Sequence, residues 1–247
     1  MEYKAAIFDL DGTAILNRED GMPSARLISA VNKIKDRIIV AAATGRPISN
    51  CRHILKTLKL TSPCIISGGT QIIDPLTEKI IWEKQLSIEQ VRGIIDIATP
   101  FEYQLYFSNE TESSLAKARL VKSPETIIYI MTVSKDGAQN LLSALNKITG
   151  IAAHPVPSWT PKHFDIHIVH KEATKKHALE LWLELLNLKR EEVVGFGDGN
   201  NDLPIFESVG YKVAMSNATD DLKAKADLIA ENENNEGVAQ VMEKIFT

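Results

Sequence analysis

The sequence predicts a doubly wound α/β protein, a Rossmann-like parallel-sheet core interrupted by an inserted α+β domain. Three observations carry that expectation. Short apolar runs of buried-strand type alternate with amphipathic helical stretches at both ends of the chain, the pattern of a parallel sheet with crossover helices. A middle stretch changes rhythm, its strands coming in pairs. Acidic, glycine-containing segments stand directly behind the first and a late apolar run, where loops at the carboxyl ends of parallel strands gather.

The first strand is read from Lys4 to Phe8, and Asp9-Leu10-Asp11-Gly12-Thr13 follows it. Ser24 then caps a helix with the apolar stripe Leu27, Ile28, Val31 and Ile34. Arg37 to Ala43 is a second buried strand, ending in Thr44-Gly45-Arg46-Pro47. A helix bearing Ile48, Cys51, Ile54, Leu55 and Leu58 leads to a third strand at Cys64 to Ser67, expected to join the same parallel sheet. After Trp82, Ser87 and Gln90 form a capping box for a helix with Ile88, Val91, Ile94, Ile95 and Ala98. Paired strands at 101–107 and 126–133, a helix with Leu141, Leu142, Leu145 and Ile148, and strands at 151–156 and 164–169 complete an αββαββ layer. The inserted domain is set at 84–165 and the core at 1–83 and 166–247. From Thr174 the first rhythm returns: a helix with Ala178, Leu181, Trp182 and Leu185, a strand at Val193 to Phe196, and then Gly197-Asp198-Gly199-Asn200-Asn201-Asp202. A short helix from Leu203, a strand from Tyr211 to Met215, a helix through Leu222 and a last helix after Gly237 close the core.

The 247 residues are 44% hydrophobic and 24% charged with a net charge of -4, an ordinary globular balance. Without a basic excess or Lys/Arg block, neither nucleic acid nor a membrane surface is an expected partner. Cys51 and Cys64 give no disulfide framework and no metal-ligand spacing, and are read as reduced core residues. Only Met1, Glu2 and Tyr3 precede the first strand and no apolar run approaches ~18 residues, so a cytoplasmic location is expected. A monomer or small homo-oligomer fits the composition equally.

An aspartate behind a strand can merely cap a turn. Here Asp9 with Asp11, Thr44 with Gly45, Lys175, and Asp198 with Asn201 and Asp202 all fall at strand ends or helix starts, and together they describe phosphoryl transfer. A carboxylate can take a phosphoryl group from a monoester, splitting one difficult step into two, and Asp9 is the candidate nucleophile. Asp11, in register two residues on, can protonate the leaving oxygen and then deprotonate the attacking water. Repulsion between phosphate and carboxylates calls for Mg²⁺, which Asp198 and Asp202 suit as hard oxygen ligands. Gly197 and Gly199 are expected to permit tight turns there. The Thr44 hydroxyl, Gly45 amide and Lys175 ammonium supply donors for the phosphate oxygens, with Leu10, Arg46 and Asn201 counted in the same binding set.

These motifs, in this order and spacing across the whole chain, resemble motifs one to four of the haloacid dehalogenase-like hydrolase superfamily. The insertion between the second and third motifs resembles the type IIB cap of the Cof-type sugar phosphatases and of archaeal phosphoglycolate phosphatases. The resemblance implies Asp9 as nucleophile and metal ligand, and Asp11 as acid/base with its main-chain carbonyl on Mg²⁺. It adds Asp198, with Asp202 directly or through water, to the metal site, and implies a small phosphorylated substrate held by Thr44 and Lys175. The sequence departs from the family at Ala14 in place of leucine, at Glu172 and Lys176 in place of glycines beside Lys175, and at Gly68-Gly69-Thr70 in place of Asn-Gly-Ala.

His163, His167 and His170 fit no common zinc spacing and read as a half-exposed strand, one of them touching substrate. Lys122, Trp159, Lys162 and His163 are cap candidates for substrate contact, and Trp182 is a core residue. The reading is a Mg²⁺-dependent phosphatase acting on a sugar phosphate or phosphoglycolate-like compound. Its rivals are a sugar phosphomutase of the same architecture and a binding protein that keeps the fold.

Overall fold

A computed structural model describes every residue except 1, 19, 102, 110, 111, 116–124 and 247. The first strand, β1 (Ala5–Phe8), is fully buried along its length, as a strand covered on both faces must be. Helix α1 (Ala25–Ile34) follows, its first turn capped by the Ser24 hydroxyl, which accepts from the Leu27 amide at 3.1 Å. Strand β2 (Ile39–Ala42), helix α2 (Ile48–Thr57) and strand β3 (Cys64–Ile66) come next.

Strand β3 corrects the sequence expectation. An isolated parallel bridge, Ala43 to Ile65, ties it to the region of β2, while it pairs along its length antiparallel with β4 (Gln71–Ile73). Strand β5 (Ile80–Glu83) completes this small sheet in the order β3-β4-β5. The positive φ of Ser67 (51°), Gly68 (69°) and Gly69 (99°) turns the chain straight back on itself, so a crossover helix has no room to form.

The inserted layer begins with α3 (Ile88–Ala98), whose capping box of Ser87 and Gln90 is present. Strands β6 (Gln104–Asn109), β7 (Glu112–Leu115) and β8 (Ile127–Ser134), helix α4 (Lys135–Leu145), and strands β9 (Ile151–Pro157) and β10 (His163–His170) follow. They form an antiparallel sheet in the order β7-β6-β8-β10-β9. One face buries Ile128, Ile130, Ile166 and Ile168 against Val91, Ile94, Leu141 and Leu145 of the two helices. Strand β10 carries this sheet to His170, past the 165 boundary read from the sequence.

The chain returns to the core through α5 (Lys175–Leu185), β11 (Val193–Gly197), α6 (Leu203–Ser208), β12 (Tyr211–Met215), α7 (Asp220–Lys223), β13 (Leu228–Ala230) and α8 (Gly237–Phe246). The core sheet is parallel throughout, in the order β13-β12-β11-β1-β2. Strand β1 lies between β11 and β2; the connection leaving β1 runs to β2 on one side and that leaving β11 to β12 on the other, the topological switch point at which an open α/β sheet forms a crevice beyond its strands' carboxyl ends. Trp182 is fully buried, its indole donating to the Pro63 carbonyl at 2.8 Å. Cys51 and Cys64 are free and buried, and burial pushes the Cys64 thiol up to about 12. Among the described residues, no helix is long and apolar enough to cross a membrane.

Candidate active site

The loop behind β1 is built on the Leu10 carbonyl, which accepts from the amides of Thr13, Ala14 and Ile15 at 2.9 to 3.2 Å. Leu10 itself is fully buried and anchors that turn. Gly12 is required twice over: its φ is +78°, and a Cβ there would stand 2.4 Å from Asp198 Oδ2. The β1 loop and the β11 loop therefore touch. Thr13 Oγ1 donates to Asp198 Oδ1 at 2.8 Å, and Asn217 Nδ2 donates to the Gly12 carbonyl at 2.9 Å and to Asp198 Oδ2 at 3.4 Å.

Beyond β11, Asp202 folds its own loop. Its Oδ2 accepts from the amides of Asp198 and Gly199, both at 3.1 Å, while Oδ1 accepts from Lys175 Nζ at 2.7 Å. Neither Gly197 nor Gly199 has a positive φ, which corrects the turn argument made from sequence. Space is the reason for Gly197: a Cβ there would meet the Asp202 Cβ at 2.5 Å.

Lys175 opens α5, capped by the Thr174 hydroxyl, which accepts from the His177 amide at 3.3 Å. The glycines missing at 172 and 176 are not needed for this helix start. The close approach comes from the facing loop, where Gly69 lies so near that a Cβ would stand 2.3 Å from the Lys175 amide nitrogen. Glu172 instead pairs with Lys84 at 2.9 Å and Lys176 with Glu207 at 3.1 Å, exposed contacts worth little.

The result is a buried charge cluster. Lys175 Nζ lies 2.7 Å from both Asp9 Oδ1 and Asp202 Oδ1, and oxygens of Asp9, Asp198 and Asp202 fall within 4.8 Å of one another. Burial and the neighbouring Asp202 push the Asp9 carboxyl well above the usual range, and the same two causes raise Asp198 to about 7. Burial opposes the Lys175 charge, but Asp202 and Asp9 outweigh it and hold the ammonium above its ordinary value.

Thr44, fully buried, sits where β2 ends; its hydroxyl accepts from the Arg46 amide at 3.1 Å and its carbonyl from the Gly68 amide at 3.1 Å. Arg46 grips Asp11, Nε to Oδ2 at 2.8 Å and Nη2 to Oδ1 at 2.5 Å. Asp11 therefore stands apart from the three-acid cluster. The inserted sheet closes on the Gly45 side: Tyr129 Oη donates to the Gly45 carbonyl at 3.3 Å, and His167 packs on Gly45 and edge-on against Tyr129 with ring centroids 4.9 Å apart. Burial, with His154 and Lys175 nearby, lowers His167 to about 3, so its ring is neutral. A cavity of about 590 Å³ lies instead at the linkers, lined by Lys84, Leu86, Gln90, Thr149 and His170, away from the acids.

This sequence matches the model of the haloacid dehalogenase-like hydrolases over residues 6–127 and 106–242. The chain belongs to that family. Among haloacid dehalogenase-like relatives, a phosphoglycolate phosphatase of Staphylothermus marinus is 26% identical over 98% of both chains. A 5-amino-6-(5-phospho-D-ribitylamino)uracil phosphatase of Bacillus subtilis is also 26% identical, over 98% of this chain and 95% of its own. A solved subclass IIB sugar phosphatase superposes with a TM-score of 0.79 at 20% identity, covering 98% of both chains, and shares the fold. The chain is a phosphoric monoester hydrolase with the core and cap architecture of that subclass.

Of the residues singled out in the sequence, Asp9, Lys175, Asp198 and Asp202 meet directly, Asp11 meets Arg46, and Thr44 and Gly45 line the neighbouring strand end. Asn201 is exposed, its amide oxygen turned against Gly199. His163 Nδ1 contacts the Pro161 carbonyl at 3.0 Å, while Lys122 lies outside the described residues. Thr13 and Asn217 were missed as holders of Asp198. The signal for Asn217 was its place just after β12, at the same sheet edge as the acids.

Proposed function

We propose that this haloacid dehalogenase-like hydrolase is a Mg²⁺-dependent phosphatase of a small phosphorylated metabolite, a sugar phosphate or phosphoglycolate-like ester, working through an aspartyl-phosphate at Asp9. The observation that carries the reading is the Lys175 ammonium fixed between Asp9 and Asp202 at 2.7 Å from each, beside Asp198. Two equally similar relatives are named for different substrates, so the leaving group is proposed only as a class.

The donor set fits a hard divalent cation. Three carboxylates face one ammonium, so with all three ionised two negative charges would be unbalanced, and burial together with Asp202 raises Asp198 to about 7. Asp9 and Asp198, with the Asp11 carbonyl and with Asp202 directly or through water, would hold Mg²⁺. When bound, the ion offsets the charge that keeps a phosphate dianion from a carboxylate nucleophile.

The chain's own residues then divide the work. An Asp9 oxygen attacks phosphorus as the bond to the leaving oxygen breaks, that oxygen keeping the electron pair and taking a proton from Asp11. Water next attacks the phosphoryl group, giving its proton to Asp11, and the bond to Asp9 breaks with its pair returning to the carboxylate. Lys175, the Thr44 hydroxyl and the Gly45 amide donate to the phosphoryl oxygens.

The test is phosphate release from a panel of sugar phosphates, phosphoglycolate, nucleotides and an aryl phosphate, with Mg²⁺ or with a chelator. Metal-dependent turnover of a small ester is the expected result. Turnover that survives complete chelation would overturn the metal assignment, and silence throughout would overturn the phosphatase reading.

The metal site also has a readout without substrate. The folded Asp9 and Asp198 carboxyls titrate above their unfolded values, so from about pH 4 upward the folded state binds more protons than the unfolded one, at Asp198 until about pH 7. The stability contributed by protonated Asp198 is full at low pH and is lost as pH rises through about 7, and Asp9 acts in the same direction. In a chelator the unfolding temperature should therefore fall from pH 5 to pH 8. Added Mg²⁺ should flatten the slope by stabilising the charged form at the alkaline end. A slope indifferent to Mg²⁺ would remove the ion from these acids.

A further inference from the structure

Between β9 and β10, the hairpin at 158–162 is tied by the Ser158 amide donating to the His163 carbonyl at 3.0 Å and the His163 amide donating to the Thr160 carbonyl at 3.2 Å. Its tip carries Trp159, 39% exposed, and the ring lies over the Arg46 guanidinium, 5.4 Å from centroid to Cζ. Arg46 belongs to the core, and its side chain is only 5% exposed. Besides both Asp11 oxygens it holds the Arg18 carbonyl at 2.8 Å and the Asn50 carbonyl at 3.3 Å. The planar guanidinium thus has its edges committed to the core and a face covered by the cap. Tilting that plane moves both nitrogens on Asp11 together, because the fork is rigid.

We propose that Trp159 is a positioning residue for the reaction: seated on Arg46, it couples the place of the cap to the orientation of the Asp11 carboxyl. Trp159 touches neither Asp11 nor the reacting atoms and acts through Arg46. The cap thereby helps aim the proton donor as well as choosing the leaving group. The inference rests on the reading of Asp11 as acid/base in the proposed function.

A comparison of two esters tests it. An aryl phosphate such as 4-nitrophenyl phosphate expels a phenolate that needs no proton, whereas glycerol phosphate expels an alkoxide that does. The same carboxyl later serves as base toward water for both. First-turnover release of the leaving group and steady-state phosphate release are measured by rapid mixing for Trp159→Ala, Trp159→Phe and Asp11→Asn. Trp159→Ala should slow glycerol release in the first turnover by about tenfold or more, a partial loss of the roughly 10²- to 10⁴-fold that general acid catalysis supplies. It should leave 4-nitrophenolate release within about twofold and slow the turnover that follows, so that the aryl ester shows a burst. Trp159→Phe, which keeps a π face over Arg46, should recover most of the rate. Equal first-turnover losses on both esters, or a change confined to KM, would overturn the proposal in favour of cap closure or substrate contact. Asp11→Asn separates the two levels. If it fails to discriminate between the esters, the assignment of Asp11 itself fails. If it discriminates and Trp159→Ala does not, only the coupling fails.

Discussion

Asp9→Asn should reduce phosphate release by a factor on the order of 10⁴ to 10⁶, the scale on which a covalent mechanism loses its nucleophile. The fold should tolerate the change. Asparagine keeps the shape and an oxygen toward Lys175 Nζ, which now lies 2.7 Å from Asp9 Oδ1. The charge it removes is one that burial and Asp202 already disfavour. Losing it relieves Asp198 while costing Lys175 one of its two carboxylate partners, so the two effects oppose each other. An unfolding free energy within about 1 kcal/mol of the parent is expected by chemical denaturation. Acid quench during turnover of a ³²P-labelled ester should leave label on the parent protein and none on the variant. Parent-like turnover in the variant would remove Asp9 from a covalent role.

How far the sequence disclosed this site depends on how local each feature is. Strand β1 and the loop behind it could be read because four buried apolar residues and two acids lie within one short stretch. Lys175 could be placed because Thr174 is a local cap. By contrast, Thr13 and Asp198 are 185 residues apart and Asn217 and Gly12 are 205 apart, so nothing in either neighbourhood announces the pair. The small sheet of β3, β4 and β5 was missed for a different reason. Strand β4 has three residues, too few for a period-two pattern, and its turn works through positive φ at Ser67, which a serine does not advertise. Trp159 was legible as a surface aromatic on a cap loop. That it would sit on Arg46, 113 positions away, required the fold.

Asp202 is the residue whose role the structure changes most. Sequence motif and family resemblance make it a metal ligand, yet both of its oxygens are already committed, one to Lys175 and one to the amides of Asp198 and Gly199. Asp202→Ala would leave two amides without their acceptor and take from Lys175 one of its two carboxylate partners, in a site where the aspartate has no exposure. Breaking a buried pair by removing one partner costs about 3–5 kcal/mol. Relief of the repulsion that Asp202 exerts on Asp9 and Asp198 works in the opposite direction. That relief exists only where the neighbouring acids are ionised, so it fades below the Asp198 value of about 7. The metal-free variant should therefore be less stable than the parent at both pH 6 and pH 8, and the deficit should be larger at pH 6. Urea unfolding at the two values measures it. Asp202→Asn is the sharper probe, because its carbonyl can keep the two amide bonds while its NH₂ faces the lysine ammonium. Stability should fall by less than in Asp202→Ala, because the two amide bonds are kept while the buried ion pair is lost, and Lys175 should be displaced so that KM rises for every phosphate ester, whatever the leaving group. If Asp202→Asn instead keeps KM and loses only its response to Mg²⁺, the residue is first a ligand and the hold on Lys175 is secondary.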